Sequence, residues 1–156
     1  MYKISTKELF LWISEIKKNN QDIDNLYLLL DLVGGVSKSD LFLIKINHQH
    51  EVCLKLDFNS LKKKWNEHTQ FSKPIQYICG GSYWRNFRFE LTNDVLIPRV
   101  ETEKIVEIAT DIISPENKKI IFADLGTGSG SIAISLVAEN KNWKGLATDI
   151  DINALH

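Results

Sequence analysis

One glycine-rich segment limits the possible folds of this chain more than any other feature: residues 124–130 read Asp-Leu-Gly-Thr-Gly-Ser-Gly. The apolar run before it, at 120–124, ends in a carboxylate and predicts a strand buried on both faces of a parallel sheet. Residues 129–140 predict a helix, and a second apolar run at 145–149 predicts another buried strand. We therefore expect residues 119–149 to form a βαβ unit, with the glycines between the first strand and the helix.

The glycine turn and the end of the second strand carry the groups that a nucleotide ligand needs. Glycines at alternate positions let the backbone turn sharply and approach a ligand, and the N-terminus of the following helix offers N–H groups to a carboxylate or a phosphate. Asp149, at the end of the second strand, is placed to accept hydrogen bonds from ribose hydroxyls. We therefore expect a ligand that contains adenosine. The expected contacts come from Asp149 and from the backbone of Gly126, Thr127, Gly128, Ser129 and Gly130.

The residues around the turn favour one adenosine cofactor over another. A dinucleotide motif read from Gly126 needs Gly or Ala at position 131, where this chain has Ser131. Asp124 would repel a pyrophosphate, but it would attract the ammonium and sulfonium groups of S-adenosylmethionine. We expect S-adenosylmethionine with Asp124 near its ammonium group. The alternatives are a nicotinamide dinucleotide, and a turn in which the glycines only allow the backbone to turn and bind no ligand.

The sequence before the glycine turn changes from helical to alternating character at Pro74. Apolar residues at helical spacing predict four short helices, at residues 6–19, 22–33, 40–46 and 58–68. Alternation and turn residues predict a β-hairpin within 76–98, and helical spacing returns at 101–113. The expected class is α/β. The expected domains are a four-helix bundle at 1–72, a β-hairpin linker at 73–98 and the opening βαβ of a Rossmann-like domain at 99–156.

Composition and charge are those of an ordinary globular protein. Hydrophobic residues make up 44% of the 156 residues and the formal net charge is -1, which disfavours disorder and gives no general attraction to nucleic acid. The charged N-terminus does not resemble a signal peptide, and no apolar run approaches the ~20 residues of a membrane span. Cys53 and Cys79 lie far apart in the sequence. We expect a cytoplasmic protein with reduced cysteines, no membrane contact and no direct nucleic-acid binding.

Two further clusters allow a functional and a structural interpretation. His48 and His50, near Cys53, have the spacing of a strand face and could begin a metal site, but no second group of ligands accompanies them. We expect an exposed loop and no metal. The three lysines at 62–64 could contact ribosomal RNA or an acidic protein surface, and a solvated helix face is the alternative that we favour.

Two segments of the chain resemble a known family. Residues 73–80 read Lys-Pro-Ile-Gln-Tyr-Ile-Cys-Gly and lead through Phe-Arg-Phe-Glu-Leu at 87–91 to Val-Leu-Ile-Pro-Arg-Val-Glu-Thr-Glu at 95–103. The other segment is the glycine turn with Ala-Thr-Asp at 147–149. Together they resemble the protein-(glutamine-N5) methyltransferases of the HemK/PrmC type, which modify peptide chain release factors.

The resemblance implies an activity for the whole enzyme and a role for each segment of the chain. It implies S-adenosylmethionine-dependent methylation of the glutamine side-chain amide nitrogen in a Gly-Gly-Gln loop of a release factor. It also implies that the helical front docks the release factor, and that the loop at 99–102, which includes Thr102, borders the cofactor.

The sequence departs from the family pattern at two places. Val100 stands where the family usually has proline, which leaves Arg99 and Thr102 in register. The family's Asn-Pro-Pro-Tyr motif, which accepts the two N–H bonds of the substrate amide, is not in this sequence. We therefore expect the front half of a longer enzyme, with no catalytic residue in the chain and no turnover by the chain alone. A catalytically inactive binding or interaction module is the alternative.

Overall fold

Helices and short strands alternate along the chain in a computed structural model, which describes residues 1–19, 22–113 and 119–155. The described residues form seven α-helices and six β-strands, so the mixed α/β class predicted from the sequence is confirmed. The chain divides into two compact units, Met1–Cys79 and Gly80–His156. The expected domain ranges at 1–72, 73–98 and 99–156 stay predictions.

The first unit combines helices with a small antiparallel sheet. Its elements are β1 (Tyr2–Ser5), α1 (Thr6–Lys18), α2 (Ile23–Leu29), a π-helical turn (Leu30–Gly34), α3 (Lys38–Ile46), β2 (Glu51–Leu54), α4 (Phe58–Phe71) and α5 (Ile75–Cys79). β1 pairs with β2, and Tyr2 lies opposite Leu54. The deepest residues of the core include Leu9, Leu26, Leu29, Leu30, Leu54, Leu61 and Ile75.

Local signals at helix ends explain where the helices begin and end. The Ser5 hydroxyl accepts a hydrogen bond from the N–H of Glu8 at the start of α1, and Ser37 and Asp40 form a capping box at the start of α3. Gly35 ends the π-helical turn with a φ of 70°, the left-handed conformation that glycine adopts without strain. Helices therefore occupy all four segments in which the sequence predicted them.

The first unit nevertheless differs from the expected four-helix bundle. β1 and β2 bury Ile4, Val52 and Leu54, but strands of four residues are too short for alternation to identify them securely. Tyr77 and Ile78, expected in a strand, lie in the helix α5. Ile75 and Ile78, three residues apart, are both buried, and a helix places this spacing on one face whereas a strand places it on opposite faces.

The second unit contains a hairpin and a strand–helix–strand segment. Its elements are β3 (Gly81–Trp84), β4 (Phe87–Glu90), a 3-10 turn (Val100–Thr102), α6 (Glu103–Ile113), β5 (Ile120–Leu125), α7 (Ser131–Glu139), β6 (Trp143–Thr148) and a second 3-10 turn (Ile152–Leu155). β5 and β6 are parallel, with Asp124 opposite Ala147. The predicted order of strand, glycine turn, helix and parallel strand is therefore present.

The hairpin is shorter than expected and turns at another place. β3 and β4 pair antiparallel, with Trp84 opposite Phe87, so Arg85 and Asn86 form the turn. Arg85 has a φ of 49°, which is uncommon for a residue with a side chain. The sequence prediction placed turns only at the glycines and at residues 92–94 and did not use Asn86, although asparagine is common in turns.

The described residues cover only one of the two faces of the parallel strands β5 and β6. Helix α7 packs against β5 and β6 and buries Ala133 and Leu136. On the opposite face Ile121 is 84% exposed, Leu125 78% and Leu146 63%. The expectation that both faces are buried is therefore wrong for the described residues, although the apolar composition of these strands is typical of two covered faces.

We expect Leu61→Ala in α4 to lower the free energy of unfolding by about 2–5 kcal/mol, because it opens a cavity in the first core. Leu61 has no exposed side-chain surface. Phe71→Ala in the same helix is the control, since Phe71 is 77% exposed and its replacement should change stability by about 0.5 kcal/mol or less. Urea unfolding followed by circular dichroism measures both, and equal losses would contradict this assignment of the core.

Candidate functional site

The glycine turn is held open in a conformation that only glycine adopts without strain. Gly126, Gly128 and Gly130 have φ values of 73°, 54° and 72°. No atom lies within 4 Å of the place where a Cβ of Gly126 would stand, so the positive φ, and not a steric contact within the protein, requires glycine there. The N–H groups of Gly126 and Thr127 donate to the carbonyl of Thr148 at 2.8 and 2.9 Å.

Asp149 lies directly after β6 and contacts the turn from that side. Its Oδ2 accepts a hydrogen bond from the N–H of Gly128 at 2.8 Å, and its Oδ1 accepts one from the N–H of Asp151 at 3.0 Å. These bonds, first that from Asp151 and then that from Gly128, lower the pKa of Asp149, because they stabilise the ionised carboxylate. The Gly128 N–H, expected to face a ligand, therefore orients an acidic side chain.

Asp124, the other acid predicted for the site, lies at the end of β5 and bonds within the turn. Its Oδ2 accepts a hydrogen bond from the hydroxyl of Thr127 at 2.7 Å. Asp124 and Asp149 thus bond to neighbouring residues of the turn, Thr127 and Gly128. The structure brings Asp124 together with the predicted contacts of residues 126–130 and with Asp149. Their binding of a cofactor stays a prediction.

The N-terminus of α7 retains backbone donors that the described residues do not satisfy. No described residue accepts a hydrogen bond from the N–H of Ser129 or Ser131, and Gly130, the N-cap, provides no side-chain cap. Unsatisfied N–H groups at a helix start favour a negatively charged group. A carboxylate, such as that of an amino-acid tail, fits this donor set, and Asp149 nearby can accept from hydroxyls.

Thr102 lies in the 3-10 turn before α6. Its N–H donates to the carbonyl of Arg99 at 3.0 Å, and the same carbonyl accepts a hydrogen bond from the indole Nε1 of Trp84 at 2.8 Å. The loop at 99–102 is therefore attached to the hairpin. Within the described part of the chain no hydrogen bond joins Thr102 to the glycine turn, and its contact with a cofactor stays a prediction.

A cleft that the sequence did not predict opens between the hairpin and the turn. It encloses about 500 Å³. One wall consists of residues 87–92 of β4 and its continuation, and the other includes Ser129 in the turn and Asn153 in the second 3-10 turn. Its two walls lie far apart in the sequence, so that no local pattern identifies it.

Other candidate groups do not form a second site among the described residues. No group of three potential metal ligands is found there, and His48 packs against the ring of Phe10 at 4.5 Å. Burial raises the pKa of the Cys79 thiol to about 12, which makes it a poor nucleophile. The ammonium of Lys62 lies 4.2 Å from the ring centroid of Phe58. Within the same residues, no helix has the length and apolarity that a membrane crossing requires.

We expect the carboxyl group of Asp149 to titrate below its ordinary pKa of 3.8, and the amide proton of Gly128 to shift with it. Because the hydrogen bonds favour the ionised form, their stabilisation is present at neutral pH and is lost as the pH falls through the lowered pKa. NMR titration of both resonances measures this. In Asp149→Asn the Gly128 shift should no longer follow acid pH, and an Asp149 pKa at or above 3.8 would contradict the bonding.

Comparison with curated proteins finds several with similar sequences. The chain is 35% identical over 153 residues to a release factor glutamine methyltransferase of Prochlorococcus marinus, a match that covers 97% of this chain and 52% of that protein. Proteins of the same name from Lactococcus lactis subsp. lactis and Coxiella burnetii are 35% identical over 153 residues and 36% identical over 125 residues. These two matches cover 93% and 78% of this chain, and 52% and 42% of the relatives.

The extent of these matches agrees with the expected N-terminal half. No family model matches the chain. The chain spans about half the length of the curated relatives that it matches over nearly its whole sequence. The resemblance drawn from the two motif segments is thereby confirmed, and the chain is a homologue of the release factor glutamine methyltransferases.

Proposed function

We propose that the chain supplies the S-adenosylmethionine-binding part of an enzyme that methylates the glutamine side-chain amide nitrogen in the Gly-Gly-Gln loop of peptide chain release factors. One observation carries this proposal: the 35% identity to a release factor glutamine methyltransferase over 153 residues. The shared region contains the glycine turn and Asp149, so it supports the cofactor as well as the reaction.

The donor set at the turn supports S-adenosylmethionine as the ligand. The free N–H groups of Ser129 and Ser131 would hold its carboxylate, and Asp149 would accept from the ribose hydroxyls. Asp124 would lie near the ammonium group, which a carboxylate attracts. When bound, the cofactor supplies an electrophilic methyl group on a sulfonium. The backbone of residues 126–130 would orient that group, since the positive φ angles fix the direction of the turn's N–H bonds.

Asp149 would have two tasks in this site. Its hydrogen bond from the Gly128 N–H leaves further lone pairs on the carboxylate for ribose hydroxyls. The bond therefore fixes the carboxylate before the ligand arrives, and less side-chain entropy is lost on binding. A carboxylate with a lowered pKa also stays ionised at neutral pH, as a charge-assisted acceptor requires.

The methyl acceptor presents a separate problem, because an amide nitrogen is a poor nucleophile. Catalysis would depend on aligning the nitrogen with the methyl group and on accepting its N–H bonds, and not on a strong general base. In the family that the chain resembles, those acceptors belong to the Asn-Pro-Pro-Tyr motif. This sequence does not contain that motif. We therefore assign no catalytic residue to the chain and propose that the transfer needs the longer protein.

The exposed face of the parallel strands fits the same proposal. Ile121, Leu125 and Leu146 form apolar surface on β5 and β6, and parallel sheets in α/β proteins are normally covered on both faces. The relatives contain about as much sequence again as this chain matches. Further sequence of that kind would provide the cover.

We propose that the helical front at 1–72 docks the release factor. The support is its own hydrophobic core within the unit Met1–Cys79, together with the similarity to the relatives. A docking module would affect recognition of the whole protein substrate and leave the cofactor site intact.

Asp149→Ala should weaken S-adenosylmethionine binding by about 2 kcal/mol, roughly thirtyfold, because charge-assisted hydrogen bonds to the ribose are lost. Isothermal titration calorimetry on the chain measures the dissociation constant. Asp111→Ala is the matched control, since Asp111 lies exposed on α6 and away from the turn in sequence. An unchanged constant in Asp149→Ala, or an equal loss in Asp111→Ala, would remove Asp149 from the site.

The methyl-transfer proposal is tested in the cell of origin. Loss of the gene should leave the Gly-Gly-Gln glutamine of the release factors unmethylated, as measured by the mass of the peptide that contains it. Restoring the longer protein without residues 1–72 should restore S-adenosylmethionine binding but not the methylation of whole release factor. Methylation that persists without the gene would contradict the function, and methylation by the shortened protein would contradict the docking role.

A further inference from the structure

The wall that β4 contributes to the cleft is the edge of the strand and not one of its faces. Successive residues of a strand point to opposite faces, so a cleft on one face would be lined by every second residue. Here all residues from 87 to 92 line it without interruption. Because β3 pairs with one edge of β4, an uninterrupted lining fits the other edge of the strand; Gly80, which precedes β3, also lines the cleft.

The register of the hairpin determines which backbone groups point into the cleft. Leu91 donates to the carbonyl of Gly80 at 3.1 Å, and the register places Phe89 opposite Ser82 and Arg88 opposite Tyr83. Hydrogen-bonded and non-hydrogen-bonded pairs alternate in an antiparallel ladder. The N–H and C=O groups of Arg88 and Glu90 therefore point away from β3, and no described residue bonds to them.

The turn of the hairpin that contains β4 is attached to α6 and α7 through Arg85. The guanidinium of Arg85 contacts the Glu139 carboxylate at 2.7 Å. The backbone N–H of Arg85 donates to the carboxylate of Glu103 at 3.1 Å. Side-chain exposure is 16% for Arg85 and 29% for Glu139, so this ion pair is less screened by water than a surface pair. A strand edge fixed in this way can bind a partner without first becoming ordered.

We propose that the edge of β4 binds an extended segment of the polypeptide whose glutamine is methylated, through backbone hydrogen bonds to Arg88 and Glu90. Extended peptides bind exposed strand edges in this manner. The opposite wall of the cleft includes Ser129 of the glycine turn, so a segment on β4 passes beside the proposed cofactor site. This inference rests on the proposed function, because it assigns the substrate's path to that site.

Two substitutions of Arg88 separate the contribution of its backbone N–H to peptide binding from that of its side chain. Arg88→Pro removes the outward N–H, and proline is tolerated at a strand edge, whereas Arg88→Ala keeps the N–H and removes only the charge. The probe is a linear peptide spanning the Gly-Gly-Gln segment of a release factor. NMR titration of the whole isotope-labelled chain should give about tenfold weaker binding for Arg88→Pro than for Arg88→Ala. The same peptide with N-methylated alternate amides should also bind weakly.

Three measurements keep this inference separate from the cofactor proposal. Calorimetry with S-adenosylmethionine and thermal unfolding on each variant establish that Arg88→Pro is folded and that its cofactor site is intact. Equal peptide affinity for the two variants would overturn the β4 assignment while leaving the cofactor site standing. Slow hydrogen exchange at the Arg88 and Glu90 amides of the free chain would also overturn it, because the edge would then already be paired with a second copy or another segment.

Discussion

The hydrogen bond from the Gly128 N–H to the carboxylate of Asp149 connects the glycine turn to the end of β6, and the geometry of the candidate site depends on it. Together with the two N–H groups that donate to the Thr148 carbonyl, it ties the turn to β6 through three backbone donors. Among the described residues, the N–H groups of Ser129 and Ser131 stay without an acceptor. The turn therefore offers an anion the N–H groups at the start of α7, while the carboxylate of Asp149 already accepts from Gly128.

The charged groups around Arg85 position the hairpin that lines the cleft beside the glycine turn. Arg85 contacts Glu139 at the end of α7 and Glu103 at the start of α6, so one residue in a positive-φ turn position joins the hairpin to both helices. Loss of the Glu139 carboxylate would leave the largely buried guanidinium of Arg85 without its ion-pair partner, which is costly. Because these contacts of Arg85 lie at the turn of the hairpin, they position β4 as one wall of the cleft.

Local features of the fold were predictable from the sequence, and distant pairings were not. The helix starts at Ser5 and Ser37, the stop at Gly35 and the order of strand, glycine turn and helix each depend on residues within a few positions of one another. By contrast, β1 pairs with a strand about fifty residues away. The β3–β4 turn was missed because a single Asn86 is a weak turn signal, and the bonds of Arg85 to two distant carboxylates leave no local pattern.

The sequence alone determined the resemblance to the methyltransferases, the α/β class and the identity of the acids beside the glycine turn, because these follow from residue types at short spacing. Only the tertiary structure decided which donors of the turn are already used, which face of the parallel strands is covered, and that β4 and Ser129 line the same cleft. These properties depend on groups that approach each other in space from separate parts of the chain. Hydrogen bonding and burial act over a few ångströms, so sequence spacing does not specify them.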